Sequence, residues 1–339
     1  PSSIYLLDVN GRGTDAGGRG FSDGDPDVKV RPVPGSLNLV PWGPLGAGQV
    51  LGSLYELDDS ACPVDPRHVL GSVVERLHES GLHPVVALEL EFYLIDAASA
   101  DEGRPRPPIL PDTGRRASAT QVYSLADLEG FTRFLSEVET TCQAQGVPLG
   151  ATTAEYAVGQ YEINLQHVDD PLCAADHAIL LRRAVQGLAR GHDAVATFMA
   201  KPYPEDAGNG LHVHVSLMDD KGRNVFDNGS SEGSIQLRQA VAGMLDLLPQ
   251  SMAIFAPNVN SYRRFAPNLY VPTGPTWGYN NRSVAVRIPA GDNAARRIEH
   301  RMAGADANPY LTLAAVLAGL HHGINEGLVP PDPRSDNAG

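Results

Sequence analysis

The stretch "VVALELEFYLID", residues 85–96, constrains this chain more than any other. Its run of Val, Leu, Phe, Tyr and Ile between Pro84 and Asp96 predicts a buried strand, yet it carries Glu89 and Glu91. Residues two apart on a strand face the same way, so both carboxylates project from one face. A buried carboxylate without a partner is costly, and two side by side repel. The fold must therefore bring arginine, lysine or a metal ion to that face. Alone, the stretch is also compatible with ordinary salt bridges at a sheet surface.

Four further stretches share this character. In "TTAEYAVGQYEINL", Glu155 and Glu162 flank a Gly-Gln turn; in "GNGLHVHVSL", His212, His214 and Ser216 alternate along one strand face behind a glycine-rich loop. "NNRSVAVRIP" places Arg282 and Arg287 around a short apolar run, and "ARRIEHR" sets Glu299 between Arg297 and Arg301. Each taken singly has a structural explanation. Five glutamates and a histidine on strands, together with four arginines, exceed what structural pairing needs. A carboxylate-dominated set with one imidazole suits Mg²⁺ or Mn²⁺ better than structural zinc. The guanidinium fork matches phosphate and carboxylate, which points to an anionic substrate. With a glycine-rich loop these are the parts that phosphoryl transfer from a nucleotide requires.

A chain of 339 residues can bury a large core and has room for two domains. Residues 1–63 hold short strand-like runs ("SSIYLLDV", "SLNLVPW", "GQVLGSLYEL") broken by Gly, Pro and Asp, as in a small β-rich domain. A helix is predicted from Asp65 as N-cap and Pro66 to a stop at Gly81. A second spans Leu125 to Gln145 behind Ser124, a third runs from Asp170-Pro171 to near Arg190, and "PYLTLAAVLAGLHHGI" forms a buried helix near the end. This order predicts an α+β catalytic domain behind a small β domain. A net charge of −14 argues against a nucleic-acid partner and is compatible with cationic substrates or divalent metals. No apolar run reaches the length of about 18 residues that a membrane helix needs. Cys62, Cys142 and Cys173 lack metal-ligand spacing and, with no secretory signal in view, read as reduced thiols of a cytoplasmic protein.

The strings "ELEFYL", "EYAVGQYEINL", "TFMAKPYPEDAGNGLHVHVSL", "NSYRRFAPNLYVPTGPTWGYNNRSVAVRIPAG" and "RRIEHRMAGADANPYL" resemble the glutamine synthetase superfamily, in the family's order and over most of residues 64–325. Two of them are most similar to the γ-glutamylputrescine and γ-glutamylpolyamine synthetases. The resemblance implies a small N-terminal β-grasp domain over residues 1–63, incomplete at its start. A catalytic domain over 64–339, incomplete at its end, would follow on a curved, mostly antiparallel sheet with flanking helices. It also implies a homo-oligomer, usually a dodecamer, with active sites between subunits.

Carried over by motif, Glu91, Glu155 and Glu162 would hold one Mg²⁺ or Mn²⁺, and Glu89, His212 and Glu299 a second on the phosphates of ATP, with two or three ions per site. Gly208 and Gly210 match the loop that lets backbone approach glutamate. Arg264 and Arg301 match the residues on its α-carboxylate, Arg282 and Arg287 those on the transferred phosphate, and His214, Ser216 and Arg297 the ATP contacts. The implied reaction phosphorylates the γ-carboxylate of glutamate and then lets an amine displace phosphate.

Three departures bear on the amine. Tyr270 stands where ammonia-using members carry a glutamate, Ala207 replaces an asparagine of the substrate loop, and Thr153 and Ala154 replace histidines. They favour a larger primary amine, putrescine or a polyamine first, ethanolamine or another monoamine next. Ammonia, or a catalytically silent structural relative, are the remaining readings. Asp8, with Asp15 behind it, matches the aspartate that a neighbouring subunit supplies to deprotonate the amine.

Overall fold

The computed structural model describes residues 2–8, 10–103, 105–267 and 270–338. Up to residue 63, Gly, Pro and Asp interrupt every apolar run before it reaches useful strand length. β1 (Lys29–Pro32), β2 (Asn38–Leu39), β3 (Gly48–Gln49) and β4 (Gly52–Tyr55) form two antiparallel ribbons, β1 with β4 and β2 with β3. The opening "SSIY", read as part of a strand, makes a single 3-10 turn over Ser2–Tyr5. Among the described residues here there is no α-helix, and the implied β-grasp is not seen. Val30, Leu37, Leu39 and Leu45 stay exposed, because two-stranded ribbons have no second layer to cover them.

This segment is fastened to the remainder at defined points. Asp65 caps α1 (Pro66–Glu79) by accepting from the Arg67 N–H at 2.8 Å, and its other oxygen takes the Leu54 N–H of β4 at 2.6 Å. Trp42 lies so close over Gly187 that a Cβ there would collide with the indole.

β5 (His83–Asp96) organises the rest. Its even residues Val86, Leu88, Leu90, Phe92 and Leu94 are fully buried in the core, while Glu89 and Glu91 occupy the opposite face. The helix expected over Leu125–Gln145 is two helices, α2 (Leu125–Gly130) and α3 (Thr132–Ala144), parted at Phe131. Phe131 leaves helical geometry (φ −122°, ψ 20°) and is buried with its ring edge-on to Tyr161 at 6.0 Å. Core packing at that residue outweighs helical continuity.

β6 (Leu149–Ala154) and β7 (Gln160–Leu165) form a hairpin on one edge of β5. After α4 (Pro171–Ala189), capped by Asp170, β8 (Ala194–Thr197) and β9 (Leu211–Met218) pair with β5 on the other edge. That edge is assigned by register: Tyr93 pairs with both Gln160 and Thr197, and Leu90 with both Ile163 and Leu211. Helices α5 (Ile235–Asp246), α6 (Leu248–Phe255) and α7 (Val259–Tyr262) come next. The sheet then extends through β10 (Trp277–Tyr279), β11 (Val286–Ile288) and β12 (Ile298–His300) to give the order β10-β11-β12-β9-β5-β7-β6. Every pair is antiparallel except β10 with β11, so the expected mostly antiparallel sheet is present. α8 (Pro309–Asn325) packs against α5 and α1 behind it.

Adding a side chain at Gly187 should release the Trp42 anchor. Gly187→Val should cost about 1–3 kcal/mol through overpacking, lower the Tm and red-shift tryptophan emission in a Trp277→Phe background. An unchanged Tm and emission would show that the indole is not held there.

Candidate active site

The sheet register assembles the site. Glu89 pairs with His212 across β5–β9, Glu91 with Glu162 across β5–β7, and Glu299 with His214 across β12–β9. Side chains paired across strands share a face, so four glutamates and both histidines meet on one side of the sheet, and Glu155, just past β6, joins them at the cavity. They adjoin a cavity of about 390 Å³ lined by Glu89, Glu91, Glu155, Glu162, Gly208, His212, Arg264, Tyr270, Arg282 and Arg301 among the predicted residues. Glu299, Arg287, His214, Arg297, Ser216 and Gly210 are not part of that lining; the first three stand behind it and hold its wall.

The β9–β12 half of the site is electrically satisfied. Glu89 accepts from His214 Nε2 at 2.7 Å and meets His212 Nδ1 at 3.1 Å. Burial raises its pKa, yet these two imidazoles outweigh burial and hold the carboxyl below the usual range. Arg297 Nε donates to His214 Nδ1 at 3.2 Å, which leaves Nε2 to carry the proton given to Glu89. Glu299 is buried and takes Arg287 Nη1 at 2.7 Å and Arg301 Nη1. Burial pushes its pKa up, but Arg301, His214 and His212 bring it down to about 2.

The β5–β7 half is not. Glu162 is pushed up to about 9 by burial and then by Glu89, Glu91 and Glu155. Burial and the Glu91 charge push Glu155 up to about 7, against a weak hydrogen bond from Thr153 and the Arg282 charge. Carboxylates crowded together with few basic side chains beside them are what a metal site looks like, and oxygen donors with an imidazole suit Mg²⁺ or Mn²⁺. Donor atoms of Glu89, Glu162 and His212, and of Glu89, His214 and Glu299, lie within 4.8 Å of one another. These groups cut across the implied ligand sets: Glu89 belongs to both, and Glu91 and Glu155 to neither. Glu91 is turned aside by the Gly210 N–H, which its Oε2 accepts at 2.6 Å.

Arg264 is buried and gives Nη1 and Nη2 to the carbonyl oxygens of Met302 (2.9 Å) and Arg301 (3.3 Å), so it braces the wall as well as lining it. Its packing, with the Ala200 carbonyl at Gly208 and His212 at Gly210, leaves no room for a side chain at either glycine. A Cβ on Gly208 would lie 2.8 Å from Arg264 Cγ, and one on Gly210 2.7 Å from Nη2 and 2.8 Å from His212 Nε2. Arg282 is exposed and, among the described residues, makes no hydrogen bond. Ser216 is buried and donates to the Arg296 carbonyl at 2.9 Å. Asp8 is not in the lining of this cavity; its carboxylate accepts the Asn10 and Arg12 N–H groups, each at 2.8 Å. Asp15 likewise serves a local turn at Ser22.

Sequence reasoning missed Tyr123, Tyr156, Gln160, Val122 and Val271, which with Ala207 complete the lining. Tyr156 and Gln160 sit inside a quoted motif and were findable by adjacency; Tyr123 and Val122 carry no local signal. Tyr123 and Tyr270 hold positive φ, 63° and 53°, and Tyr270 and Tyr156 place ring centroids 6.0 Å apart. Left-handed backbone at bulky residues persists only where the surroundings impose it.

A family model described as glutamine synthetase, catalytic domain, matches residues 63–339. The γ-glutamylputrescine synthetase PuuA of Escherichia coli (strain K12) is 46% identical over 328 residues, 97% of this chain and 70% of that protein. A glutamate–isopropylamine ligase of Pseudomonas sp is 36% identical over 94% of this chain and 69% of that one. Among solved structures, a GmaS/ADP complex superposes with a TM-score of 0.78 at 29% identity, over 92% of this chain and 70% of that one.

The unbalanced half of the site has a measurable consequence. Glu162 has its pKa raised from 4.5 to about 9, so its contribution to metal-free stability is present at low pH and is lost as pH rises through that window. In chelator, thermal scans from about pH 6 to about pH 10 should show Glu162→Gln gaining stability over the native protein as pH rises. Saturating Mn²⁺ or Mg²⁺ should cancel the gain, because a cation binds the ionised carboxylate. A difference independent of pH and metal would refute the repulsive cluster.

Proposed function

The chain belongs to the glutamine synthetase family and is a carbon–nitrogen ligase of that type, and on this premise we propose that it joins the γ-carboxyl of glutamate to a primary amine at the expense of ATP. Putrescine or a longer polyamine is the amine this reading puts first. The γ-carboxylate attacks the γ-phosphorus of ATP, forming γ-glutamyl phosphate and ADP. The amine then attacks the acyl carbon, inorganic phosphate leaves, and a proton is lost from nitrogen. Activation is needed because a carboxylate is a poor electrophile.

The observation that carries the choice of amine is the tyrosine-lined mouth. Tyr123, Tyr156 and Tyr270 are more than half exposed at a cavity that Val122 and Val271 also line. A π-rich, partly apolar wall suits an alkylammonium chain, which gains both cation–π attraction and burial of methylenes. Bare ammonium gains only the first. The names of the relatives above, which act on putrescine and isopropylamine, support the same reading. A monoamine such as ethanolamine is the second choice, since one methylene is worth only about 1–3 kcal/mol in such a pocket.

Residue roles are those the family resemblance implies. Arg282, the guanidinium without a hydrogen bond at the cavity, and Arg287 would meet the transferred phosphate. Arg264 and Arg301 would face the α-carboxylate, with His214, Ser216 and Arg297 on the nucleotide. Glu89, Glu91, Glu155, Glu162, His212 and Glu299 would hold Mg²⁺ or Mn²⁺, which supplies positive charge against the phosphates and the crowded carboxylates. Asp8 would accept the amine proton in a neighbouring copy, within an oligomeric ring. Among the described residues no helix is long and apolar enough to cross a membrane.

Phosphate release with glutamate, ATP and Mg²⁺ should be fastest with a diamine in a panel of amines, and ammonium should be a poor substrate. Ammonium matching the best amine would sink this reading in favour of glutamine synthetase. Glu89→Ala and Glu299→Ala should each lower phosphate release with every amine at least roughly a hundredfold. Tyr270→Glu should shift preference toward ammonium by restoring a negative charge at the mouth; an unchanged amine ranking would remove Tyr270 from the amine site.

A further inference from the structure

The chain between β8 and β9 leaves the edge of β5 after Thr197, opposite Tyr93, and rejoins it at Leu211, opposite Leu90. Its return, residues 206–210, is pinned peptide by peptide. Lys201 Nζ donates to the carbonyl oxygen of Asp206, the Tyr93 hydroxyl to that of Ala207 at 2.6 Å, and Gln160 Nε2 to that of Gly208 at 3.0 Å. Gln160 is itself fixed: its Oε1 accepts the Ala157 N–H at 3.2 Å and its Nε2 also reaches Asn209 Oδ1 at 3.0 Å. Tyr93 and Gln160 are buried partners across β5–β7, and the Tyr93 ring meets Tyr203 edge-on at 5.2 Å.

A trans peptide is planar, with its C=O and N–H pointing in opposite directions. Holding the oxygens of Asp206 and Ala207 therefore aims the N–H groups of Ala207 and Gly208 the other way. Those two N–H groups have no partner among the described residues. The next two do: Asn209 N–H reaches the Ala200 carbonyl at 2.8 Å and Gly210 N–H the Glu91 carboxylate at 2.6 Å. Ala207 and Gly208 both line the cavity. Successive free N–H groups beside a glycine make a concavity suited to an anionic or carbonyl oxygen.

We propose that Lys201 and Tyr93 are positioning residues for the amino-acid substrate: by gripping the carbonyl oxygens of Asp206 and Ala207 they present the Ala207 and Gly208 N–H groups to an oxygen of that substrate. The inference rests on the ligase reading, which puts glutamate in this cavity. Tyr93 occupies the same face of β5 as Glu89 and Glu91, so one strand carries both the charged groups and the clamp on the facing loop.

The test uses the whole protein with Mg²⁺. Tyr93→Phe deletes one hydroxyl and keeps the ring; Lys201→Met keeps the length and deletes the ammonium donor, and serves equally should the first variant fold poorly. Each should raise KM for glutamate roughly five- to tenfold, the effect of one lost hydrogen bond, with KM for ATP and Mn²⁺ affinity unchanged. Hydrogen exchange read by mass spectrometry should quicken in the peptide spanning residues 205–210 and nowhere else. Native turnover with an unaltered KM for glutamate in both variants overturns this inference and leaves the ligase reading standing. Parallel rises in KM for glutamate and ATP, with faster exchange throughout, also overturn it, because they mark general loosening. A native protein that releases no phosphate with glutamate under any amine overturns the ligase reading and this inference with it.

Discussion

Two carboxylates on one face of β5 set the terms for everything around them. Glu89 lies between two imidazoles and Glu91 catches the N–H of the loop that faces it. The same strand turns Val86, Leu88, Leu90, Phe92 and Leu94 into the core. Because side chains alternate, the core cannot be filled without exposing the glutamates to the site, and the site cannot move without disturbing the core. Stability and chemistry are two faces of one strand.

Charge is distributed unevenly across that face. On the β9–β12 side the protein supplies its own partners: imidazoles for Glu89, guanidinium groups for Glu299. On the β6–β7 side Glu155 and Glu162 are left to repel each other and Glu91, with Arg282 the opposing charge that bears on Glu155. A buried ion pair can stand alone, whereas a buried cluster of like charge stands only protonated or with a bound cation. The asymmetry separates a half whose carboxylates are already paired from a half whose carboxylates crowd one another. Arg264 belongs to the first half, since it gives its donors to backbone carbonyls and packs against the glycines of the loop.

Much of this was legible in the residues. Capping is local chemistry, so Asp65, Ser124 and Asp170 mark their helices in sequence and accept the expected N–H groups in the fold. Alternation is also local, and it put Glu89 with Glu91 and His212 with His214 on single faces. Where the reading went astray, a distant partner decided. Phe131 breaks a helix because Tyr161, thirty residues on, offers it a packed site. "SSIY" turns instead of extending. Glu91 accepts the Gly210 N–H, a bond between residues far apart in the chain that alternation along β5 does not announce.

The sequence by itself determined which residue types had to share a face and that positive charge had to meet them, since pleat, helix caps and the cost of burying charge act over a few residues. Only the tertiary structure decided which glutamate sits beside which histidine. It alone set Glu162 among three other carboxylates, brought Tyr123, Tyr156 and Tyr270 to one opening, and seated Tyr93 and Gln160 against the loop at 206–210. Those outcomes depend on strand register and on contacts across more than a hundred residues, as between Tyr93 and Ala207. No local rule encodes them, because the free energy of each contact exists only once the sheet has aligned its partners.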